Sequence, residues 1–148
     1  MEYSIQGLGL TEREEALRLT AYQDSGGIWT IGFGHTGQDV FPGQVITRQQ
    51  AITWLQNDVQ KAVNAVNASV RVSVTQQDFD SLVDFTYNVG VHAFETSTLL
   101  KKLNAGDYAG ANAAFKSWVF VKGQVNKGLW NRRQAEQDEF TSGGTPNG

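Results

Sequence analysis

The chain contains no cysteine, which excludes a disulfide framework, thiolate-held metal sites and any thiol nucleophile. No stretch approaches the roughly 18 consecutive apolar residues of a membrane-spanning helix, and residues 1–11 carry neither a basic leader nor a long apolar run. Stable membrane insertion and an export signal are therefore not expected. Only two histidines, His35 and His92, are present, without a third partner at useful spacing, so neither a metal nor another cofactor is expected. A Ser/His/Asp order with a nucleophile elbow is missing, and Gly32-Phe33-Gly34 lacks the spacing and following helix of a dinucleotide-binding loop. Internal repeats and low-complexity tracts are absent as well.

What remains is a composition of 40% hydrophobic and 18% charged residues over 148 positions, enough to bury one hydrophobic core without covalent or metal support. A single domain over residues 1–142 is expected, followed by a flexible tail, 143–148, rich in glycine. The net charge of −3 is unevenly spread: residues 96–133 hold seven Lys/Arg and one acid, a local +6 that leaves −9 for the rest. That basic segment reads either as a solvated helical surface or as a means of steering toward an anionic polymer. Nucleic acid is not expected as a partner, because no compact basic run or binding motif accompanies the charge.

Thr11 and Glu14 form a capping-box pattern that predicts a helix over 10–19, with Ser4 as an alternative cap. Two strand-like runs flank the turn Asp24-Ser25-Gly26-Gly27 and predict a hairpin. Strand alternation places Trp29, Ile31 and Phe33 on one face and Ile28, Thr30 and Gly32 on the other, so Thr30 is expected to face away from the aromatic core. Thr47 and Gln50 repeat the capping pattern ahead of Ile52, Leu55, Val59, Val63 and Val66, which predicts one long helix over 47–66. Further helices are predicted over 76–89, 97–105, 107–118 and 130–140. Phe79, Leu82, Val83, Phe85 and Tyr87 are read as core, as are the tryptophans at 29, 54, 118 and 130. The fold class is thus α+β, mainly α.

Glycoside hydrolysis needs an acid to protonate the leaving oxygen and a second carboxylate to steer water or stabilise positive charge. Glu15 and Asp24 could supply the pair. On one continuous helix they would be separated by roughly 13 Å, but the glycine-rich turn after Asp24 folds the chain back. With fifteen acidic residues in the chain, that pairing alone selects nothing. The whole run EALRLTAYQDSGGIWTIGFGHT, residues 15–36, resembles the catalytic signature of glycoside hydrolase family 24, the phage-type lysozymes. That family uses a Glu, an Asp nine positions on and a Thr six further on, and Glu15, Asp24 and Thr30 match both spacings. By this resemblance Glu15 is the general acid, Asp24 orients the attacking water and Thr30 hydrogen-bonds it, while His35 matches a structural histidine. The 47–66 helix resembles the family's lobe-connecting helix, and Tyr87-Asn88-Val89-Gly90 a cleft-facing segment. Asn88 is accordingly a substrate-binding candidate, with helix capping as the competing reading. In Asn131-Arg132-Arg133-Gln134-Ala135-Glu136 the resemblance makes Arg132 a supporting ion-pair partner of Glu15. A nearby cation favours the charged carboxylate, whereas a general acid must arrive protonated, so burial on substrate occupancy would have to oppose Arg132.

Two departures from the family pattern bear on these expectations. Ala16 stands where the family usually has Gly, and a left-handed backbone there would cost Ala about 1 kcal/mol. Many members are strongly basic, whereas this chain is net acidic, so attraction to an anionic wall would fall to the 96–133 segment. The resemblance implies a lysozyme-like fold: a small N-terminal hairpin lobe, a long connecting helix and a helical C-terminal lobe, with a cleft between lobes. It further implies a monomeric peptidoglycan hydrolase cutting the β-1,4 bond between N-acetylmuramic acid and N-acetylglucosamine with inversion and without cofactor. Such a protein would accumulate in the host bacterial cytoplasm and reach the glycan strands through a separate holin-type, membrane-permeabilising protein. Two alternatives stay open at this stage: a wall-binding module of the same fold without activity, and a lytic transglycosylase.

Overall fold

The computed structural model describes residues 1–144, so the expected flexible tail lies outside the described residues from position 145 on. Its architecture is mainly helical with a small antiparallel sheet, as the pattern predicts. The chain divides into two compact units, residues 1–8 with 61–148, and residues 9–60.

The first helix, α1 (Ile5–Glu15), starts earlier and stops earlier than the predicted 10–19. Ser4 is its cap: the hydroxyl accepts from Gly7 N at 3.0 Å and donates to the buried Asp80 carboxylate, which also accepts from Ser4 N at 3.2 Å. A Cβ at Gly7 would run into the Tyr3 ring and lie 2.7 Å from Asp80 Cγ, so glycine is needed for this approach. Thr11, the other candidate cap, is instead buried inside the helix. α1 ends because Ala16 adopts φ 50°, in the left-handed region.

In the 9–60 unit, β1 (Arg18–Gln23), β2 (Trp29–Gly32) and β3 (His35–Thr36) form an antiparallel sheet in the order β1-β2-β3, one strand more than the predicted hairpin. Tyr22 pairs with Thr30 and Thr30 with Thr36, with an irregularity in β1 between Arg18 and Tyr22. The outer edge of β1 is covered by the segment around Val45, through Ala21 N to Gln44 O and Ile46 N to Leu19 O, both 2.9 Å. Thr30, expected to face away from the aromatic core, is itself buried, like Ile31 and Gly32 beside it. The reason is that α2 (Arg48–Asp58) and the segment before it cover β2 on the Gly32 side, with Ala51 Cβ and Ile46 Cδ1 at 3.4 and 3.5 Å from the position a Gly32 Cβ would occupy. Thr47 caps α2 through the expected capping box with Gln50.

The predicted single helix over 47–66 is two segments, α2 and α3 (Gln60–Ser69). Val59 between them has φ −71° and ψ −15°, a locally tightened turn. The boundary between the units falls just after it.

In the other unit, α4 (Gln76–Val89) has the predicted bounds: Thr75 and Asp78 cap its start, and Gly90, at φ 104°, ends it. α5 (Val91–Glu95) follows, unpredicted, and then α6 (Thr98–Asn104), capped by Ser97. The predicted 107–118 helix is α7 (Tyr108–Ala114) continued by a 3-10 turn over Phe115–Trp118. A second small hairpin, β4 (Phe120–Val121) and β5 (Gln124–Val125), was not anticipated. Its connection, Lys122-Gly123, has both φ values positive, 50° and 79°, as a two-residue type I′ turn requires. Finally α8 (Lys127–Ser142) packs on α4. Phe85 is the hub of this core, edge-on to Phe94, Phe115 and Trp118 at centroid distances of 6.5, 5.3 and 5.7 Å, offset geometries that aromatic quadrupoles favour.

Candidate active site

Glu15, Asp24, Thr30 and His35 all fall within the 9–60 unit, whereas Asn88 and Arg132 belong to the other. Glu15 is the last residue of α1, partly buried, immediately before the left-handed Ala16. Asp24 follows β1 in the turn, and its side chain folds back over that turn: Oδ1 accepts from Gly26 N at 2.8 Å and from Ile28 N at 2.9 Å. The main chain closes the same loop, with Asp24 N donating to Ile28 O and Gly27 N to Asp24 O, both 2.9 Å. Gly27 at φ 80° supplies the backbone that a side-chain-bearing residue would resist. The Thr30 hydroxyl donates to Ile28 O at 3.0 Å. One residue, Ile28, therefore ties Asp24 to Thr30 through its own N–H and C=O, and both side chains have a defined position before any ligand arrives.

His35 anchors β3 to α2. Its Nδ1 lies 2.7 Å from Asp58 Oδ2, its Nε2 2.9 Å from Asp39 Oδ1, and its ring sits 4.6 Å from that of Trp54. Burial pulls the imidazole pKa down, but hydrogen bonds and charge from Asp58 and Asp39 outweigh it, leaving the pKa above its ordinary value.

In the helical unit the C-terminal motif forms a buried ionic cluster with α4. Arg132 forks onto Asp84, Nε to Oδ2 at 3.0 Å and Nη2 to Oδ1 at 2.9 Å. Sequence reasoning did not name Asp84 as a partner of Arg132. Arg133 and Glu136 are both fully buried, with Arg133 Nε 2.6 Å from Glu136 Oε1 and Nη2 3.1 Å from Oε2. Burial, and then the adjacent Asp84 carboxylate, raise the Glu136 pKa well above the ordinary carboxyl value; the two guanidiniums oppose this without cancelling it. The remaining reach of Arg133 goes to Asn88, Nη2 to Oδ1 at 2.8 Å. Asn88 thus does not cap its helix, a task left to Gly90. The i, i+3 spacing of Arg133 and Glu136 was the available sequence signal for this pair.

Asn88 and Arg133 line a pocket of about 260 Å³ together with Val89, Ser117, Trp118, Phe120 and Leu129. A larger pocket, about 360 Å³ between α7 and the end of α8, is mainly apolar and includes none of the predicted site residues.

The profile of the family described as phage lysozyme matches residues 12–136. The endolysin of Acyrthosiphon pisum secondary endosymbiont phage 1 is 45% identical over 96% of this chain and 99% of its own length. The SAR-endolysin of Bacteriophage PS119 is 36% identical over 90% of this chain and 80% of its own. Among solved structures, the endolysin from Escherichia coli O157:H7 phage FAHEc1 superposes with a TM-score of 0.91 at 42% identity, over 99% of this chain and 97% of that one. The chain belongs to the phage lysozyme family, and is a lysozyme-type glycoside hydrolase of peptidoglycan that serves host lysis.

Proposed function

We propose that the chain hydrolyses the β-1,4 bond between N-acetylmuramic acid and N-acetylglucosamine with inversion, Glu15 acting as general acid and Asp24 and Thr30 holding the attacking water. The observation that carries this reading is the main chain of Ile28, whose N–H binds Asp24 and whose C=O binds Thr30. Asp24 Oδ1 is occupied by two backbone N–H groups, which leaves Oδ2 to accept one hydrogen of a water. The Thr30 hydroxyl donates its own hydrogen to Ile28 O, so toward the water it acts as acceptor for the other. A water gripped by both hydrogens turns a lone pair outward, the orientation that attack on an anomeric carbon needs. Inversion further requires carboxyl groups about 6.5–9.5 Å apart, leaving room for that water.

The test is clearing of permeabilised cells by the wild type and by Glu15→Gln, followed by mass spectrometry of the fragments. Loss of clearing in the variant and reducing-end muramic acid products are expected. Equal clearing by both proteins would reject Glu15 as the acid, and 1,6-anhydro products would reject water as the nucleophile. For delivery, we propose accumulation in the host cytoplasm and passage through a membrane opened by a separate permeabilising protein. Expression in the host without such a protein should leave cells intact, and prompt lysis would overturn that route.

A further inference from the structure

Among the described residues from 61 on, the exposed large hydrophobic side chains all fall in one short stretch: Phe120, Val121, Val125 and Trp130, at 54, 46, 58 and 42% exposure. The base of the β4–β5 ribbon is tied down. Val119 is buried and its carbonyl accepts from Asn126 N at 2.7 Å, while the Asn126 side chain caps α8. Phe120 and Val125 are partners across the ladder, so both leave the ribbon on one face, and Val121 leaves on the other. At the tip, a Cβ on Gly123 would meet nothing within 4 Å. Cations accompany these side chains. Lys122 sits in the tip and Lys127 opens α8 one turn before Trp130. Lys116 Nζ lies 3.6 Å from the centre of the Trp130 ring and donates to Gln134 Oε1 at 2.8 Å. No Asp or Glu occurs between Asp107 and Glu136, and Glu136 is itself fully buried against Arg133. The next acid, Asp138, stands two turns past Trp130 and accepts from Gln134 Nε2 at 2.9 Å.

We propose that the β4–β5 hairpin and the first turn of α8 form a docking surface for an anionic lipid bilayer, with the lysines at the phosphates and the apolar side chains in the outer acyl layer. Clustered exposed apolar groups mark a surface that something covers. An anionic wall polymer, the steering target that the basic 96–133 segment allows, would account for the lysines alone, because valines at 121 and 125 offer no ring to stack on a sugar. A second copy of the chain in a twofold contact would set these cations against their own kind. A bilayer interface takes both features, since it joins negative headgroups to hydrocarbon and accommodates tryptophan and lysine at the boundary. The contact is peripheral: no helix among the described residues is long and apolar enough to cross a membrane. The surface adds a location to the glycan-hydrolase reading and does not depend on it.

The experiment is flotation of the full chain with vesicles of phosphatidylcholine, with and without phosphatidylglycerol, alongside pelleting with purified peptidoglycan and sedimentation velocity. The wild type should float with the phosphatidylglycerol vesicles, detach as salt rises, and stay behind with phosphatidylcholine alone. Lys122→Gln/Lys127→Gln should weaken vesicle binding about fivefold per lysine. Val121→Asp/Val125→Asp should weaken it about tenfold or more, with peptidoglycan pelleting unchanged; if that variant loses its native circular dichroism, the lysine pair decides. Phe120 is left in place because it lines the pocket beside Asn88. Lys101→Gln/Lys102→Gln removes the same charge from exposed positions on α6 and should bind as the wild type does. Equal losses in the two lysine variants would overturn the proposal, since binding would then follow net charge rather than this surface. A wild type that ignores phosphatidylglycerol vesicles would overturn it as well. Hairpin variants that then fail to pellet with peptidoglycan would assign the surface to the wall, and variants that lose a dimer in sedimentation would assign it to a second copy.

Discussion

Replacing Ala16 by glycine should stabilise the protein. Ala16 holds φ 50° and is exposed, so the methyl group contributes strain without packing. The left-handed conformation costs an L-residue about 1–2 kcal/mol. Glycine removes that, while its larger unfolded-state entropy takes back about 0.4–1 kcal/mol. The net gain is about 0.5–1 kcal/mol, which for a chain of this size corresponds to roughly 1–4 °C in Tm. Urea unfolding followed by circular dichroism gives the same quantity as a midpoint shift of about 0.3–0.5 M, for a slope near 2 kcal/mol/M. Catalytic rate should not change, because the native backbone already occupies the conformation glycine would favour; the alanine costs stability rather than geometry. Ala16→Val supplies the opposite sign: its β-branched side chain fits the left-handed region worse and should lose a further ~1 kcal/mol. A destabilised Ala16→Gly, or a Val variant as stable as the wild type, would refute the strain argument.

The His35 pKa is raised, so its stabilisation is fully present below the unfolded value near 6.5 and is lost as pH rises through the folded value. His35→Asn should accordingly cost about 1 kcal/mol more at acidic than at alkaline pH, read from unfolding midpoints at about pH 5.5 and about pH 9; equal costs at both would contradict it. Asp84→Asn removes the bidentate partner of Arg132, which is 5% exposed, and leaves the longer contact of 3.9 Å to Glu136 in its place. A loss of about 3 kcal/mol is expected in urea unfolding, and a loss of less than about 1 kcal/mol would mean that water or another group solvates Arg132. Lys122 sits at φ 50° in the β4–β5 turn, where Asn is a natural occupant of type I′ geometry. Lys122→Asn should raise stability by up to about 1 kcal/mol in the same assay, and a decrease would exclude that reading of the turn.

Features that live within a few residues of one another were legible in the sequence. The Thr47 cap and the stop at Gly90 depend on side chains or backbone freedom four positions away at most, and α2 begins where local chemistry says; the equally local Thr75 cap of α4 went unread. The start of α1 was not decidable in this way. Thr11 and Glu14 satisfy the local pattern, yet Ser4 takes the cap because Asp80, 76 residues on, holds it there and Gly7 lets the backbone come close. Alternation separated Thr30 from the face of Trp29, Ile31 and Phe33 but could not say that its own face is covered, because the covering α2 arrives from later in the chain. The β4–β5 hairpin escaped notice because strands of two residues carry no periodicity.

The candidate site divides along the same line. Glu15, Asp24 and Thr30 were named through the resemblance of residues 15–36 to the family's signature, since nothing in a carboxylate's local sequence distinguishes it from the other acids of the chain. What joins Asp24 to Thr30 is the N–H and C=O of Ile28, groups that every non-proline residue possesses. A side-chain inventory is blind to such a link, and so is a substitution at Ile28, which is exposed and contributes only its backbone to the arrangement. The sensitive positions are those that set the path of that backbone: Gly27, whose φ of 80° closes the turn, and the register that puts Tyr22 opposite Thr30. The proposed water-holding pair therefore takes its geometry from the backbone of the five-residue turn between β1 and β2.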